Sequence, residues 1–180
     1  MTDYFTAWEK FGGNLKGRKI AYVGDGNNMA HSLLFGAPKA GMHISVATPP
    51  GYAPDPAVVD AASADARAAG TRLVVTTSIE EAVKGADVVE TDVWASMGQE
   101  DETEKRHRDF AGWIVDERVM SLANKGAIFM HCLPAHRGEE VSDAVLEGPQ
   151  SRVWDEAENR LHVQKALMAA LMGQGAVRLT

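Results

Sequence analysis

Cysteine is the scarcest informative residue in this sequence. A single cysteine among 180 residues excludes an intramolecular disulfide. A chain without disulfides suits a reducing compartment, so we expect a cytoplasmic protein. Basic residues are also few, with 18 Lys and Arg against 25 Asp and Glu and a net charge of −7. This balance argues against nucleic acid or an anionic membrane as a partner.

Long hydrophobic runs are missing as well. No apolar stretch approaches the ~20 residues needed to cross a bilayer, and the first ten residues lack the basic-then-apolar pattern of a signal peptide. Hydrophobic residues nevertheless make up 45% of the chain and charged residues 24%, as in an ordinary globular protein. We therefore expect one folded domain over residues 1–180 and no membrane partner.

Short apolar runs alternate with amphipathic stretches, at roughly 25–30 residues per unit, which is typical of βαβ units. Strands are predicted at 19–23, 43–47, 72–76, 87–91 and 127–130. Helices are predicted at 3–12, 28–40, 57–69, 78–85, 115–123, 141–146 and 156–172, and no element is assigned to the charged run 99–109. The pattern predicts a Rossmann-like α/β/α fold of three layers, with a parallel sheet of about five strands.

Three loops with unusual polar residues follow the first, fourth and fifth predicted strands. They span residues 25–28, 92–98 and 131–138. Parallel strands bring their carboxyl ends to one edge of the sheet, where ligands bind in open α/β folds. We therefore expect the three loops to form one site.

The first loop contains Gly24-x-Gly26, part of a dinucleotide fingerprint, but Met29 stands where the third glycine belongs and no acid ends the second strand. A fragment of a nicotinamide-dependent dehydrogenase is thus a weaker alternative. The amides of Asn27 and Asn28 could bind a carboxylate or an amide. Equally, both residues could cap the following helix.

The second loop offers groups of both polarities. Asp92 could bind an ammonium group, and Ser96 with the backbone N–H groups of 96–98 could hold a carboxylate. Together these groups would bind both the ammonium and the carboxylate of an α-amino acid. Alternatively, Asp92 forms a turn and Met97 fills the core.

In the third loop, Cys132 could be a nucleophile, a metal ligand, a substrate contact or an inert buried residue. His131 and His136 lie near it, but no second Cys or His pair has zinc-ligand spacing, so we predict no metal. Arg160, in the first turn of the last predicted helix, could bind a phosphate or carboxylate, or it could pair with Glu156.

Taken together, these residues resemble the ornithine carbamoyltransferases over nearly the whole chain, and specifically their C-terminal, ornithine-binding domain. The matching motifs, in order, are Gly24-Asp-Gly-Asn-Asn-Met29, Asp92-Val-Trp-Ala-Ser-Met-Gly98, His131-Cys-Leu-Pro-Ala-His-Arg-Gly138 and Glu156-Ala-Glu-Asn-Arg160. The resemblance implies transfer of carbamoyl from carbamoyl phosphate to the δ-amine of L-ornithine, giving L-citrulline and phosphate in arginine biosynthesis. It implies no cofactor.

The resemblance also implies roles for individual residues. Asn28 would contact the amino-acid part of ornithine, and Asp92 would hold its α-ammonium. Ser96 and Met97 would lie on a mobile loop that closes over the substrate. Cys132 and the Leu133 carbonyl would lie beside the reacting δ-amine, and Arg160 would contact the carbamoyl phosphate. The predicted catalytic residues are Cys132 and Arg160.

This sequence departs from the family in one respect. The Ser-Thr-Arg-Thr-Arg and His-Pro-x-Gln motifs of the carbamoyl-phosphate-binding domain do not occur in it. The expectation is therefore a single ornithine-binding domain, with a linking helix in 1–15 and a terminal helix at 156–172, that is not fully active alone.

That missing half also carries most of the family's trimer contacts, and without it both end helices should expose apolar surface. Two alternatives remain at this stage. One is a non-catalytic amino-acid-binding module of Rossmann type, and the other is a carbamoyltransferase for another amine such as putrescine.

Overall fold

The computed structural model describes residues 1–95 and 102–173. Its centre is a sheet of five parallel strands in the order β3-β2-β1-β4-β5. The strands are β1 (Lys19–Val23), β2 (His43–Ala47), β3 (Leu73–Thr76), β4 (Val88–Thr91) and β5 (Ile128–His131). Each lies within one residue of its predicted position, and the Rossmann-like fold class is confirmed.

Helices flank both faces of this sheet. In the described residues they are α1 (Thr2–Lys10), α2 (Asn28–Lys39), α3 (Pro56–Ala69), α4 (Ile79–Val83), α5 (Thr103–Asp109), α6 (Glu117–Ser121), α7 (Asp143–Leu146) and α8 (Val153–Met172). Among them, none combines the length and the hydropathy of a membrane-spanning segment.

Two separate hydrophobic clusters hold the three layers together. Successive residues of a strand point to opposite faces of the sheet, so Ile20 and Tyr22 enter one cluster while Ala21 and Val23 enter the other. Residues of α1, α2 and α3 complete the first cluster, and residues of α4, α6 and α7 complete the second. Strands β1, β2, β4 and β5 are therefore buried on both sides, which explains their mostly apolar sequences, while the edge strand β3 is only partly buried.

Local signals in the sequence define several helix ends, including both ends of the long helix α3. The side chain of Asp55 accepts a hydrogen bond from the Ala57 N–H, and Pro56 follows at the first helical position of α3. Ser78 caps α4 in the same way through the Glu81 N–H. Gly70 ends α3 with a φ of 67°, a left-handed conformation that glycine adopts without steric cost.

The prediction was wrong about three segments in the second half of the chain. Helices α6 and α7 are shorter than predicted because Val115 and Val141, assigned to their first turns, instead form a parallel β-bridge with each other. The charged run contains α5, which was not predicted. Its i, i+4 ion pair between Lys105 and Asp109 is of the kind that supports a helix without an apolar stripe.

The two end helices differ from the prediction in their bounds and in what they bury. Helix α1 ends at Lys10 rather than Gly12, and α8 begins at Val153 rather than Glu156. The α8 residues that are buried are Val153, Glu156 and Asn159. Its predicted apolar face is largely open to solvent, with Leu161 66% exposed. The expectation of exposed apolar surface on this helix is confirmed.

Helices α1 and α8 pack against each other through polar contacts. The Asn159 side-chain amide donates to Thr6 Oγ1 at 3.0 Å and to Glu9 Oε2 at 2.6 Å. Lys10 and Asp155 add a salt bridge of 3.0 Å between Nζ and Oδ1. The ends of the described chain are therefore joined on one side of the sheet.

Gly26 allows the loop after β1 to pack directly on the loop after β2. A Cβ at this position would lie 2.3 Å from the Pro54 nitrogen, a contact with rigid backbone. We expect Gly26→Ala to lower the free energy of unfolding by about 1–3 kcal/mol, because the two loops must separate. Urea denaturation measures this change. Gly126→Ala is the control, since its Cβ would meet no atom within 4 Å, and an equal loss in both variants would contradict the explanation.

Candidate active site

A cavity of about 730 Å³ opens at the carboxyl ends of β4 and β5. Its lining includes every predicted site residue that lies within the described chain, namely Asn28, Asp92, Cys132, Leu133 and Arg160. Ser96 and Met97, also predicted, lie outside the described residues. The structure thus brings side chains from positions 28 to 160 to one place, as expected for loops that follow parallel strands.

Asp92 places a carboxylate in this cavity and is held there by hydrogen bonds. Its Oδ2 accepts a hydrogen bond from Asn27 Nδ2 at 3.0 Å, and its Oδ1 accepts from the Val93 N–H at 2.9 Å. The residue is only 7% exposed, and no Lys, Arg or His of residues 1–95 and 102–173 forms a salt bridge with it. A carboxylate held in this way is prepared to receive a cationic group such as an ammonium.

The two adjacent asparagines have different environments. Asn27 caps α2, because its Oδ1 accepts from the N–H groups of Met29 at 2.9 Å and Ala30 at 3.3 Å. Asn28 is the first residue of α2, and it lines the cavity. The capping interpretation therefore holds for Asn27, whose amide also orients Asp92. Substrate binding stays a prediction for Asn28.

Cys132 is half-buried beside Asp92, and its thiol donates to Asp92 Oδ1 over 3.3 Å. Burial raises the pKa of the Cys132 thiol well above its usual value, and the negative charge of Asp92 raises it further. A nucleophilic cysteine acts as a thiolate. These surroundings keep the thiol protonated, so they favour a contact to substrate over a covalent nucleophile.

The raised pKa of Cys132 predicts slow alkylation. At about pH 8 we expect iodoacetamide to react with this thiol at least about tenfold more slowly than with N-acetylcysteine, because the thiolate population is small. Asp92→Asn should increase the rate, since it removes the neighbouring charge. Mass spectrometry over time gives both rates. Alkylation as fast as that of the free thiol would show that Cys132 is not held protonated.

A buried histidine fixes the backbone that carries Cys132 and Leu133. His131 Nδ1 accepts from the Leu133 N–H at 2.9 Å, so Nε2 carries the proton and faces Glu140 Oε1 at 3.2 Å. Both side chains are fully buried. Leu133 itself has a φ of 56° and is followed by a cis peptide bond to Pro134. With both ring nitrogens occupied, His131 offers no free ligand atom to a metal.

Arg160 places a guanidinium at the cavity. It lies eight residues into α8, not in the first turn, because the helix begins at Val153. The predicted pair with Glu156 does not form; Glu156 is buried and accepts from the His131 N–H at 3.1 Å. In the part of the chain that the structure describes, Arg160 has no salt-bridge partner. Its exposed guanidinium is therefore available to an anion beside Cys132 and Leu133.

Comparison with known families identifies the family of the chain that carries this site. A family model described as "Aspartate/ornithine carbamoyltransferase, Asp/Orn binding domain" matches residues 16–171. The chain belongs to this family. The resemblance carried by the four motifs is thereby confirmed, and the matched residues correspond to the family's Asp/Orn binding domain.

Relatives of the carbamoyltransferase family are close in both sequence and structure. An ornithine carbamoyltransferase of Symbiobacterium thermophilum is 58% identical over 172 residues, which are 96% of this chain and 55% of the relative. The ornithine carbamoyltransferase structure from Pyrococcus furiosus superimposes with a TM-score of 0.89 at 50% identity and covers 98% of this chain and 56% of that one.

A crystal structure of ornithine carbamoyltransferase from Gloeobacter violaceus gives a TM-score of 0.85 at 49% identity, covering 96% of this chain and 57% of that one. The chain spans about half the length of the curated relatives it matches.

One buried ion pair of this carbamoyltransferase domain had no signal in the sequence. Arg106 Nη1 donates to Asp25 Oδ2 at 2.7 Å and to the Trp94 carbonyl at 3.0 Å. The two side chains are 8% and 10% exposed. Asp25, from the loop after β1, thereby holds α5 against the end of β4. Arg106 is one of many charged residues in the run 99–109, and the sequence does not show that it is buried against Asp25.

Proposed function

We propose that the chain is the ornithine-binding domain of an ornithine carbamoyltransferase. The supporting observation is the cavity, where the Asp92 carboxylate and the Arg160 guanidinium flank Asn28, Cys132 and Leu133. Neither charged group has a salt-bridge partner within residues 1–95 and 102–173. A dipolar amino acid and an anionic carbamoyl donor need both charges. The names of the relatives agree with this assignment.

In the proposed reaction the δ-amine of ornithine attacks the carbamoyl carbon of carbamoyl phosphate. The new C–N bond forms, the bond from carbon to the phosphate oxygen breaks, and the amine loses a proton, giving citrulline and phosphate. An alkyl amine with a pKa of ~10.4 is only about one part in 2,500 neutral at pH 7. The site must therefore favour the neutral amine, and positioning of the two substrates supplies much of the acceleration.

Each residue has a distinct task in this proposal. Asp92 binds the α-ammonium group, and the Asn28 amide binds the amino-acid end. The sulfur of Cys132, whose proton is directed to Asp92, has lone pairs free to accept from the δ-amine, as does the Leu133 carbonyl. Arg160 stabilises the negative charge of the carbamoyl donor and its leaving phosphate.

The proposal extends to the rest of the enzyme. Ser96 and Met97 are proposed to close over the amino acid. A second domain is proposed to bind carbamoyl phosphate, to complete the site and to form the trimer, with residues 1–15 linking the domains and 156–172 ending this one. The single unpaired cysteine supports a cytoplasmic location.

Ornithine titration by calorimetry, followed by a citrulline assay with carbamoyl phosphate, tests the proposal. Binding without product means that this domain needs a partner domain. Product that disappears in Arg160→Ala means that it supplies enough of the phosphate site alone. A chain that does not bind ornithine would contradict the proposal.

A non-catalytic amino-acid-binding module remains the second candidate, because the phosphate motifs of the family are missing from these residues. This candidate requires ornithine binding and no turnover, even when the chain is joined to a carbamoyl-phosphate-binding domain of a relative. Putrescine bound more tightly than ornithine would instead indicate a different amine substrate. A change in tryptophan fluorescence (Trp94, Trp113, Trp154) on adding NAD would favour the dehydrogenase alternative.

A further inference from the structure

Three carboxyl groups from three elements meet beneath the cavity. Asp3 belongs to α1, Glu90 to β4 and Glu156 to α8, and their nearest oxygens all lie within 4.8 Å of one another. Glu90 is fully buried, and neither of its carboxyl oxygens has a hydrogen-bond partner in the described residues. Glu156 is 1% exposed. Asp3 and Glu156 also line the cavity.

The groups around this cluster supply little compensating charge. Neither Glu90 nor Glu156 forms a salt bridge within residues 1–95 and 102–173. Asp3 pairs with the exposed amino group of Met1 at 3.3 Å. The other titratable groups that face the cluster are Tyr4, Tyr22, Asp92 and Cys132. The hydroxyls of Tyr4 and Tyr22 donate to Leu33 O and Asn27 Oδ1, away from the carboxyls.

Three neighbouring carboxylates in such surroundings cannot all be ionised at low cost. Burial opposes each charge, and each charge opposes the next. Burial first, and then the charge of Asp3, raises the pKa of Glu156 to about 9. Burial, and then Asp3 and Glu156, raises the pKa of Glu90 well above its usual value. At neutral pH the cluster therefore retains protons on Glu156 and Glu90.

The cluster is connected to the segments that carry Asp92, Cys132 and Arg160. Glu156 Oε2 accepts from the N–H of His131, the residue before Cys132, at 3.1 Å. Arg160 follows Glu156 by one helical turn, and Asp92 follows Glu90 by two residues along the chain. A shift of α8 away from β5 would thus change the positions of Cys132 and Arg160 together.

We propose that Asp3, Glu90 and Glu156 form a proton-sharing cluster in which Glu156 positions Arg160 and the backbone of Cys132. When the cluster loses its proton, repulsion among the carboxylates moves α8 and α1 away from the sheet and weakens binding in the cavity. Glu156 is a positioning residue, since it acts through Cys132 and Arg160. The effect on ornithine rests on the proposed function; the effect on the backbone does not.

Nuclear magnetic resonance of the chain tests the inference without any ligand. Carbon-13 shifts should show a protonated glutamic acid at about pH 7, and the backbone amides of His131 and Cys132 should titrate with a midpoint near 9, the pKa of Glu156. Glu156→Gln should abolish this amide titration. Glu158→Gln, a change to an exposed acid on the same helix, should leave it intact.

Ornithine binding provides the second arm of the test. Between about pH 7 and about pH 9.5, the affinity of the unsubstituted chain should fall about fivefold or more relative to that of Glu156→Gln, a coupling of ordinary size. The titration of ornithine itself cancels in this ratio. If ornithine fails to bind at every pH, the proposed function fails, while the amide titration still decides whether the cluster exists.

Two results would overturn the inference. One is a set of carboxyl titrations that all finish below about pH 6, the range of ordinary acids. The other is an amide titration at His131 and Cys132 that persists in Glu156→Gln. Should that variant not fold, Asp3→Asn replaces it. In Asp3→Asn the midpoint should move to lower pH, because the charge of Asp3 that raises the pKa of Glu156 is gone.

Discussion

Replacing Arg106 by methionine should lower the free energy of unfolding by about 3–5 kcal/mol. The substitution leaves Asp25 as a buried carboxylate without its cation, and an uncompensated buried charge is costly. The Asp25 and Arg106 side chains are 10% and 8% exposed, so solvent cannot replace the lost partner. Helix α5 should also detach from the loop after β1. Chemical denaturation followed by circular dichroism gives the stability change.

Two variants separate this explanation from a general effect of losing an arginine. Arg118→Met breaks an ion pair with Glu80 whose side chains are 62% and 56% exposed, and exposed pairs contribute little, so the midpoint should hardly move. The double substitution Asp25→Asn with Arg106→Met removes the stranded charge and should recover part of the loss. Equal destabilisation by Arg106→Met and Arg118→Met would refute the role given to burial.

Asp92→Asn should weaken ornithine binding by about 1–3 kcal/mol, the scale for losing a charged hydrogen bond. In affinity this is about 5- to 150-fold. The substitution keeps the shape of the side chain and removes the negative charge that the proposed α-ammonium requires. Calorimetric titration at constant pH measures the change directly.

Asp60→Asn is the matched control for this experiment. Asp60 is exposed on α3, and it does not line the cavity, so its loss should leave the affinity unchanged. Because Asn27 donates to Asp92, the folded state of Asp92→Asn should be checked by its spectrum. Ornithine affinity that is unaltered in a folded Asp92→Asn chain would remove Asp92 from the site.

The strands could be predicted because each is a compact apolar run with turn residues after it. A strand buried on both faces requires this pattern, and residues 20–23 of β1 follow it without interruption. The short helices could not be bounded in the same way. Val115 suits a helix or a strand equally well, and its pairing with Val141 depends on a contact 26 residues away that no local pattern reveals.

The site could be predicted as a set of residues but not as a set of interactions. Topology alone placed Asp92 and Cys132 at one edge of the sheet. It did not show that the Cys132 thiol donates to Asp92, or that Asn27 rather than Asn28 caps α2. Glu90 looks like one more acid in the sequence, and its burial follows only from the packing of α1 and α8 over the end of β4.

The order of the strands in the sheet differs from the order in which a ribosome makes them. Of these five strands, β1 is synthesised before the others but lies in the middle of the sheet, between β2 and β4. Until residues 88–91 emerge, one edge of β1 has no partner strand, and unpaired edges of this kind recruit other chains. A pause in synthesis between β3 and β4 therefore leaves a nascent chain that is prone to aggregate. Arg160 joins the cavity only after α8 has been synthesised.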